Sequence, residues 1–458
     1  MGDEESTIVI IDQDEDDEEE CSPQERIARR YKKLQKKHQG AVDDFMGSDA
    51  RVTSVVILPQ YYSDLLAWAL QRYIEQEGWR IVRAVGYHHP EPAYTDVETG
   101  PDQRQNVLRN GTLLVERGGD RFAITIDAGM YGYNNVVVTG MEQRKEKVEQ
   151  FARVLENLAK EKNFYRGKKL EFSGGLRFLK LPSRSWSDIV LDPGVKQEIW
   201  DNTVGFLLHR NELAEYGIPA KRGVILHGSP GTGKTLVCRL LMAESQDITC
   251  IIISASAMEH EYYLSVVYEL AQQLAPTITF IEDIDAIAQD RMEYGCNRGP
   301  ALLTLLSLLD GIEERKEIVT VATTNFPEVL DKAIGRRPSR FDRIVEIPEP
   351  DLGQRKQFIK QICQKVPVGA DTQDYIAHRT EKMTPAQIQE VIYSLVISCR
   401  QDKGNDDCGC FQFSTETVDR AIARINGKKQ QQLGFILGNN HNGHRDESVG
   451  VQNSICSG

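Results

Sequence analysis

Four short apolar runs alternate with helical stretches between residues 182 and 350. The runs are G-V-I-L-H, T-C-I-I-I-S, I-T-F-I and I-V-T-V-A-T-T, and each is continuous, as is typical of a strand buried on both faces. Strands that alternate with helices form parallel sheets with helices on both faces. Residues 182–350 therefore predict an α/β domain built on a buried parallel sheet.

The pattern differs on either side of this region. Residues 51–181 combine strand-like runs such as V-T-S-V-V-I-L with helical repeats such as D-L-L-A-W-A-L-Q-R-Y-I, and predict a mixed α/β accessory domain. Within it, L-L-V-E-R and F-A-I-T-I are separated by the turn G-G-D at 118–120, as in a β-hairpin. Over 351–426 the strands stop, and the pattern predicts a helical subdomain.

Both ends of the chain are poor in apolar residues. The first 20 residues contain eleven Asp or Glu and no Lys or Arg, and a basic run follows from Arg26 to His38. Apolar residues at helical spacing make a short amphipathic helix one interpretation of the basic run, with a docking or nuclear-import role as an alternative. We predict a disordered acidic and basic arm over 1–50 and a disordered tail over 427–458.

Charge and composition exclude several classes of protein. The net charge is −13, and without the eleven acidic residues of the first 20 it is −13 + 11 = −2, so a general attraction to nucleic acid is not indicated. No stretch approaches the ~20 apolar residues of a membrane span. Nine scattered cysteines indicate reduced thiols. We expect a soluble intracellular protein, most simply cytoplasmic, without a membrane span or a nucleic-acid partner.

A glycine-rich loop follows the run V-I-L-H. It reads G-S-P-G-T-G-K-T and satisfies the phosphate-loop rule in the expected strand-to-helix context. Its glycines let successive N–H groups point at the β- and γ-phosphates, its lysine supplies a cation, and its last hydroxyl can ligate Mg²⁺. The loop predicts that the chain binds a nucleoside triphosphate through Gly228, Ser229, Pro230, Gly231, Thr232, Gly233, Lys234, Thr235 and Leu236.

Carboxylates crowd the end of the run I-T-F-I-E-D-I-D. In a phosphate-loop sheet the ligand lies at the carboxyl ends of the strands, where one carboxylate holds Mg²⁺ and a second polarises the attacking water. Two adjacent acids would repel a polyphosphate unless a metal lay between them. The sequence thus predicts Mg²⁺ as a cofactor beside the triphosphate, with Thr235 as one ligand and with the two carboxylate roles shared between Glu282 and Asp283.

Several motifs in order resemble the AAA ATPases of the AAA+ superfamily, over roughly Trp186 to Ile425. W-S-D-I is similar to the segment that lines the adenine pocket, G-S-P-G-T-G-K-T to the Walker A loop and I-T-F-I-E-D-I-D-A-I to Walker B. T-T-N-F-P-E-V-L-D-K-A-I-G-R-R-P-S-R-F-D-R resembles the second region of homology, and M-T-P-A-Q-I a small-residue turn of the lid. The resemblance implies an AAA+ module, with a large subdomain over 182–350 and a helical lid over 351–426.

The resemblance also implies roles for residues outside the loop. Asp188 and Ile189 match the adenine pocket, and Ala386 matches the small residue of the lid turn. Asn325 looks like the sensor that orients the attacking water. Arg337 and Arg340 match the arginine fingers, which act on a neighbouring subunit's nucleotide and so require a ring, usually a hexamer. An alternative for the two arginines is a basic turn capped by Asp342.

The chain departs from the family's pattern in ways that affect function. The resemblance implies Glu282 as the carboxylate that holds Mg²⁺, beside Thr235, and Asp283 as the one that polarises water. Their order reverses the usual Asp-Glu, as in the Bcs-type mitochondrial proteins, and puts a shorter carboxylate at the water-polarising position. The segment before Walker B is short and lacks the aromatic loop that grips polypeptide; Met258, Glu259 and His260 occupy the nearest positions. Tyr262 and Tyr263 could substitute for that loop, but on a helix we expect them to be packing residues. No H-E-x-x-H motif is present.

These features leave two functions open. The first is an ATP-hydrolysing, ring-forming machine that remodels a protein client held by the accessory domain. The second is a slow, nucleotide-controlled assembly factor or switch that does not thread polypeptide. A nucleic-acid motor is a weaker third hypothesis, because the folded body lacks a basic stripe in its sequence.

Overall fold

The computed structural model describes residues 22–128, 133–181, 183, 185–258, 261–285, 300–310, 317–327, 341–403 and 411–438. Its α-helices are α1 (Pro23–Met46), α2 (Ser63–Gln76), α3 (Lys145–Glu161), α4 (Pro193–Asp201), α5 (Val204–Leu208), α6 (Arg210–Glu215), α7 (Lys234–Glu244), α8 (Ala255–Met258), α9 (Glu261–Gln273), α10 (Pro300–Asp310), α11 (Leu352–Cys363), α12 (Ala370–Arg379), α13 (Pro385–Lys403) and α14 (Thr415–Gly438). Short 3₁₀ helices cover Gln60–Tyr62, Glu142–Arg144 and Trp186–Asp188.

Its strands are β1 (Arg51–Pro59), β2 (Arg80–Val85), β3 (Ala93–Gly100), β4 (Gln103–Arg117), β5 (Asp120–Ala128), β6 (Tyr133–Met141), β7 (Lys169–Phe172), β8 (Leu176–Phe178), β9 (Lys221–His227), β10 (Thr249–Ile253), β11 (Thr277–Ile281), β12 (Ile318–Thr324) and β13 (Arg343–Glu346). All four apolar runs of the predicted α/β domain form strands, as β9, β10, β11 and β12.

The chain divides into two compact units. The first comprises Met1–Lys180 and Gln246–Thr277, and the second comprises Leu181–Ser245 and Ile278–Gly458. The stretch that carries β10, α8 and α9 thus groups with the N-terminal unit. The domain boundaries proposed from the sequence remain predictions.

A six-stranded antiparallel sheet forms the body of the first unit. Its order is β1-β6-β5-β4-β2, with β3 also paired to β4. The predicted hairpin joins β4 to β5, with Arg117 opposite Asp120 and a two-residue turn, Gly118-Gly119, between them. Both glycines have positive φ, 56° and 86°, the conformation that a tight hairpin turn favours. The mixed α/β prediction for this part of the chain is confirmed.

Two amphipathic helices, α2 and α3, pack against this sheet. Phe151 of α3 lies among the rings of Tyr73, Trp79 and Phe122, with ring centroids 4.7 to 5.8 Å away. A Cβ at Gly140 would come within 2.3 Å of Val148 Cγ2, so glycine is required for α3 to approach β6 this closely. Apolar burial of this kind is the main source of stability for such a layer.

The arm predicted to be disordered over 1–50 contains the 24-residue helix α1. Ser22 and Glu25 form a capping box at its start, which satisfies two backbone N–H groups. At its other end Val42 and Met46 are buried in a small apolar cluster with residues of the sheet. Val42 and Met46 therefore anchor the end of the helix on the sheet, which composition alone does not reveal, whereas Ile27 and Tyr31 of the basic run are 70% and 41% exposed. Residues 1–21 lie outside the described residues.

The remaining elements of the first unit include β7, β8, β10 and α9. Strand β10 pairs with β7 in parallel, and β7 pairs with β8 antiparallel. On α9, Tyr263 packs its ring edge-on against Phe172, as expected, whereas Tyr262 is 68% exposed and does not serve as a packing residue. Of the three nearest counterparts of a pore loop, Met258 is buried at the end of α8, and Glu259 and His260 lie outside the described residues.

Parallel strands form the sheet of the second unit, in the order β13-β9-β12-β11. Strands β12 and β13 both pair in parallel with β9. The register places Thr324, the last residue of β12, beside His227, the last residue of β9. The carboxyl ends of the strands therefore meet at one edge, which is where the predicted phosphate loop begins.

Helices α11 to α14 form a separate apolar core within the second unit, around Ile359, Ile376, Ile388 and Val391. This is the helical region predicted after Pro350. Helix α14 continues to Gly438, past the predicted start of the tail at 427, and residues 439–458 lie outside the described residues. Among the described residues, none of the helices combines the length and apolar character needed to cross a bilayer.

Candidate functional site

The loop between β9 and α7 has a backbone that only glycine permits at two positions. A Cβ at Gly228 would lie 2.2 Å from the carbonyl oxygen of Ile347, a contact that no side chain tolerates. Gly233, with φ +102°, turns the chain into the first residue of α7. Glycines at these points let the loop curl tightly, and the N-terminus of α7 faces into the curl with its unpaired N–H groups. This is a suitable cradle for phosphate oxygens.

Lys234 lies at the start of α7 and is 6% exposed. Its Nζ donates to the carbonyl oxygens of Gly228 at 2.8 Å and Ser229 at 3.1 Å, and to Asn325 Oδ1 at 2.7 Å. Burial lowers the pKa of the Lys234 ammonium, and the charge of Asp283 opposes that effect. The lysine is thereby held between the loop and the end of β12.

Glu282 and Thr235 form the pair predicted to hold Mg²⁺. Burial raises the pKa of Glu282, while the hydroxyl of Thr235 and the charge of Arg239 lower it. Glu282 Oε1 is buried and has no hydrogen-bond partner among the described residues. A buried carboxylate oxygen beside a hydroxyl suits a hard cation, and Mg²⁺ takes few protein ligands because it keeps water and phosphate oxygens. The residues present fit the metal.

Asp283 adopts a left-handed backbone conformation, with φ +50°. Its N–H donates to Thr323 Oγ1 at 3.0 Å, which anchors this turn to β12. The side chain is exposed, and Asn325 Nδ2 lies 3.4 Å from Asp283 Oδ1. The Asn325 amide therefore connects Lys234 on one side with Asp283 on the other. The structure brings together the loop lysine, the second acid and the predicted sensor.

Asp285 is a site residue that the sequence analysis did not assign. Its carboxylate is buried, and its Oδ1 accepts from Thr324 Oγ1 at 2.9 Å and from the N–H of Asn325 at 3.3 Å. These bonds hold the turn from which Asn325 projects. A signal was present in the sequence, since a carboxylate two residues past Asp283 is unusual at the end of a buried strand.

The start of α13 contacts the phosphate loop directly. The N–H of Ala386 donates to the carbonyl oxygen of Gly231 at 3.2 Å. A Cβ at Gly231, where φ is +85°, would lie 2.9 Å from both Thr384 Oγ1 and Ala386 Cβ. The predicted lid residue Ala386 is thus adjacent to the loop. Thr384 and Gln387 cap the helix that presents it.

The predicted adenine-pocket residues lie on a short turn tied to two helices. The N–H of Trp186 donates to Glu244 at the end of α7, and the carbonyl oxygen of Asp188 accepts from Gln361 of α11, both at 2.9 Å. Ile189 follows in extended conformation and is half-buried. The turn therefore links the helix after the phosphate loop with the lid helices.

The remaining predicted residues differ in their surroundings. Pro230 and Thr235 are exposed, Leu236 is half-buried on α7, and Thr232 is buried with its hydroxyl on the carbonyl oxygen of Ser229 at 3.0 Å. The Ser229 hydroxyl donates to Glu349, which no motif had singled out. Arg337 and Arg340 lie outside the described residues. Asp342, the proposed cap of that turn, accepts from the N–H of Gly223 on β9.

The site defines a phosphate-loop nucleotide-binding domain. It combines a glycine cradle, a buried lysine, a paired hydroxyl and carboxylate, and a second carboxylate at the carboxyl edge of a parallel sheet. Comparisons with known proteins support this class of protein. Residues 224–349 match the family described as ATPase family associated with various cellular activities (AAA). The chain therefore contains a domain of the AAA ATPase family, which implies nucleotide binding.

Two relatives illustrate the similarity. A proteasome-activating nucleotidase of Methanosarcina mazei is 35% identical over 222 residues, which are 46% of this chain and 52% of that protein. A cell division cycle protein 48 homolog of Archaeoglobus fulgidus is 38% identical over 172 residues, which are 36% of this chain and 23% of that protein. The chain spans about half the length, or less, of these curated relatives.

Proposed function

We propose that the chain hydrolyses ATP with Mg²⁺ and couples hydrolysis to the remodelling of a protein client. The observation that carries the proposal is the hydrogen-bonded connection from Lys234 through Asn325 to Asp283. It links the group that would contact the γ-phosphate with the carboxylate that would polarise water. A loop that only stored nucleotide would not need this second carboxylate or its amide partner.

Each residue of the site has a task in this proposal. Lys234 and the loop N–H groups bind the β- and γ-phosphates. Thr235 and Glu282 would hold Mg²⁺, which supplies charge neutralisation of the triphosphate when bound. Asn325 orients a water molecule against Asp283, which accepts its proton as the water attacks. Asp285 keeps Asn325 in place and so acts through it.

Ring assembly belongs to the same proposal. Arg337 and Arg340 are the arginines that would stabilise the charge on the phosphoryl group bound in the neighbouring subunit. A contact in which one subunit completes the site of the next repeats head to tail and closes into a ring, and a hexamer is the form we propose. The N-terminal domain would then present the client to the ring.

A slow switch remains a second candidate, favoured by the geometry of Asp283. Its side chain is one methylene shorter than the glutamate usual at this position, and its carboxylate lies 3.4 Å from the amide of Asn325, a weak hydrogen bond. A carboxylate set back from its water slows proton transfer. In this case nucleotide binding would control assembly, and hydrolysis would only reset it.

Steady-state ATPase measurements over a range of protein concentrations test the first proposal. If subunits complete one another's sites, the specific activity rises steeply with concentration and falls at least tenfold or so in Arg340→Ala. Activity that does not depend on concentration contradicts the ring. Lys234→Ala is the control for contaminating ATPases, because it should abolish turnover.

Size-exclusion chromatography of Asp283→Asn with and without ATP separates the two candidates. Under the switch proposal the variant still assembles with ATP, and wild-type turnover is too slow to follow in a continuous assay. Under the machine proposal wild-type turnover is fast, and Asp283→Asn retains its client in an affinity capture with ATP. Glu282→Gln tests the metal site, since it should raise the Mg²⁺ concentration needed for half-maximal nucleotide binding.

A further inference from the structure

Strand β1 forms an open edge of the sheet in the first unit. It pairs with β6 alone, in an uninterrupted register from Arg51 opposite Met141 to Pro59 opposite Tyr133. Among the described residues, no backbone group of residues 52–58 bonds to the backbone of any element other than β6. The free side of this nine-residue strand therefore presents a row of N–H and C=O groups with which another extended segment can pair.

The opposite edge of the sheet is protected in ways that β1 is not. The register of β2 shifts between Ile81 and Arg83, and that of β3 shifts near both of its ends. Such bulges twist an edge away from a partner, and charged side chains such as Arg80 also discourage pairing. Strand β1 has no bulge and, after Arg51, no charged residue. An edge of this kind is one that proteins normally cover.

Two apolar side chains of β1 are exposed beside the open edge. Val55 is 49% exposed and Ile57 is 57% exposed, whereas Val56 and Leu58, which point to the other face of the sheet, are buried. Directly opposed residues of neighbouring strands have Cβ atoms about 4.5–5.5 Å apart. A further strand along β1 would therefore cover both exposed side chains.

A cavity of about 530 Å³ opens at the end of β1, within the first unit. Leu58, Leu65 and Ala159 give it a buried apolar lining. Tyr62 also lines it; this residue is 4% exposed, and its hydroxyl has no hydrogen-bond partner among the described residues. A buried hydroxyl normally has a partner, and here it can donate to a backbone carbonyl of a segment that enters the cavity.

The chain contains a segment with the pattern that this edge requires, T-I-V-I-I at residues 7–11. β-Branched residues favour the extended conformation, and a continuous apolar run suits a strand that is covered on both faces. Alternate side chains of the run would lie over Val55 and Ile57 on one face and enter the cavity on the other. Residues 7–11 themselves lie outside the described residues.

Helix α1 directs this segment toward the end of the sheet that contains the cavity. Near the start of β5, Arg121 donates to the carbonyl oxygen of Phe45, close to the end of the helix. Near the end of β5, Asp127 Oδ2 lies 3.0 Å from His88 Nε2, and Tyr31 of α1 stacks on His88 with ring centroids 5.4 Å apart. The helix therefore runs antiparallel to β5, and the chain before it begins beyond the end of that strand.

The chain before α1 is long enough to reach β1 of the same molecule. The β5–β6–β1 register places Asp127 level with Ile57, two strand spacings or about 10 Å away. Along the helix, Tyr31 lies about 14 Å from Ser22. The extended chain from Ser22 back to Ile11 spans up to about 36–40 Å, which is more than these steps together.

The acidic residues after the segment suit the charge at this end of β1. A strand parallel to β1 leads toward Pro59 into residues 12–16, which are D-Q-D-E-D. Arg166 lines the cavity there, and its hydrogen-bond partners among the described residues are the carbonyl oxygens of Gln273 at 2.9 Å and Ala275 at 3.1 Å. Its guanidinium has further N–H donors for a carboxylate. We propose that residues 7–11 pair in parallel with β1 of the same chain and extend its sheet by one strand.

Hydrogen exchange followed by mass spectrometry tests the pairing in the full-length protein without nucleotide, so the outcome does not depend on the proposed ATPase activity. A serine variant removes the apolar run by combining Ile8→Ser, Val9→Ser, Ile10→Ser and Ile11→Ser. The amides of β1 that point away from β6 should exchange at least about tenfold faster in the serine variant than in wild type. Amides of β2 should exchange within about twofold in both proteins, and equal exchange over β4 and β5 shows that the sheet is folded.

A fluorescently labelled peptide with the sequence of residues 4–16 gives a second measurement, by anisotropy. It should bind the serine variant at least about tenfold more tightly than wild type, whose own segment competes for the edge. Val55→Lys in the serine variant should weaken peptide binding at least about tenfold, because it puts a charge beside the apolar run. Ile81→Lys is the matched control, since Ile81 is also 49% exposed on an edge strand, and it should leave the affinity within about twofold.

Several results would overturn the proposal. One is equal exchange over residues 51–59 in wild type and the serine variant. Others are failure of the peptide to bind the serine variant, equal affinity for wild type, or equal weakening by Val55→Lys and Ile81→Lys. Protection of β1 should also survive dilution of the wild-type protein by about a hundredfold, because pairing within one chain does not depend on concentration. Protection that disappears on dilution shows that the segment comes from a second copy and contradicts pairing within one chain.

Discussion

The contact between the phosphate loop and α13 can be tested by adding one methyl group, in Gly231→Ala. The new Cβ would lie 2.9 Å from Thr384 Oγ1 and from Ala386 Cβ, closer than carbon atoms approach without displacement. In addition, Gly231 has φ +85°, which an alanine adopts only with strain. The substitution therefore affects both the shape of the loop and the position of the helix that contacts it.

The size of the effect follows from these two contributions. Left-handed strain costs about 1–2 kcal/mol for a residue with a Cβ. Displacing α13 removes the hydrogen bond from Ala386 to Gly231, worth about 0.5–1.5 kcal/mol. A bound nucleotide, ADP or ATP, requires the loop to keep its curl around the phosphates, whereas the free loop can relax, so most of the sum appears as lost affinity. We expect ADP to bind on the order of 10- to 300-fold more weakly.

Titration with a fluorescent ADP analogue measures this loss. Gly217→Ala is the matched control, because Gly217 has φ +74°, lies away from the loop, and has no atom within 4 Å of the point where an added methyl group would lie. It introduces comparable strain but should leave the affinity within about twofold. If folded Gly231→Ala binds ADP as tightly as the control does, the contact between loop and lid does not support nucleotide binding, and the reasoning is refuted.

Two further predictions concern buried polar groups. Asp285→Ala leaves the Thr324 hydroxyl without its acceptor, so it should lower the free energy of unfolding by about 2 kcal/mol and should lower kcat more than it changes KM. In urea titrations the double variant of Asp285→Ala with Thr324→Val should lose less stability than the sum of the losses in the two single variants. Strict additivity would contradict the hydrogen bond between the two residues. In the first unit, burial and the neighbouring His88 lower the pKa of His38, whose Nε2 lies 2.8 Å from Thr112 Oγ1. Because the pKa of His38 is lowered only in the folded protein, the unfolded chain binds more protons at acidic pH. The urea midpoint of unfolding should therefore fall as the pH drops below about 6.5, and it should fall less in His38→Gln. Identical pH profiles of the midpoint in wild type and variant would exclude a contribution from His38.

The phosphate loop was predictable because its chemistry is local. Strand, glycines, lysine and hydroxyl follow one another within a few residues, and the structure places Gly228 and Lys234 as the motif requires. The strands of the second unit were predictable for a similar reason, since burial on both faces leaves a continuous apolar run.

The support of the site depends on residues far apart in the chain. Asp285 and Thr324 are 39 positions apart and meet only because β12 lies beside β11. Likewise, the contact between Gly231 and Ala386 requires the packing of α13, which no short motif encodes. Single-sequence patterns identify the groups that touch the ligand more readily than those that position them.

Helix α1 shows how composition can mislead. The composition of the charged run predicts a disordered arm, although S-x-x-E at Ser22 and Glu25 is a recognisable helix start. What decides the outcome is the C-terminal end of the helix, where Val42 and Met46 are buried against the sheet. The existence of that surface depends on the tertiary structure.

Isothermal titration calorimetry with ATP or ADP and Mg²⁺ is the most direct test of the nucleotide site. We expect one nucleotide per chain to bind saturably to the folded wild-type protein. Lys234→Ala removes the buried ammonium between the loop and Asn325, so it should bind nucleotide at least about tenfold more weakly. Absence of binding heat from folded wild-type protein, or equal affinity in Lys234→Ala, would contradict the nucleotide site and every role assigned around it.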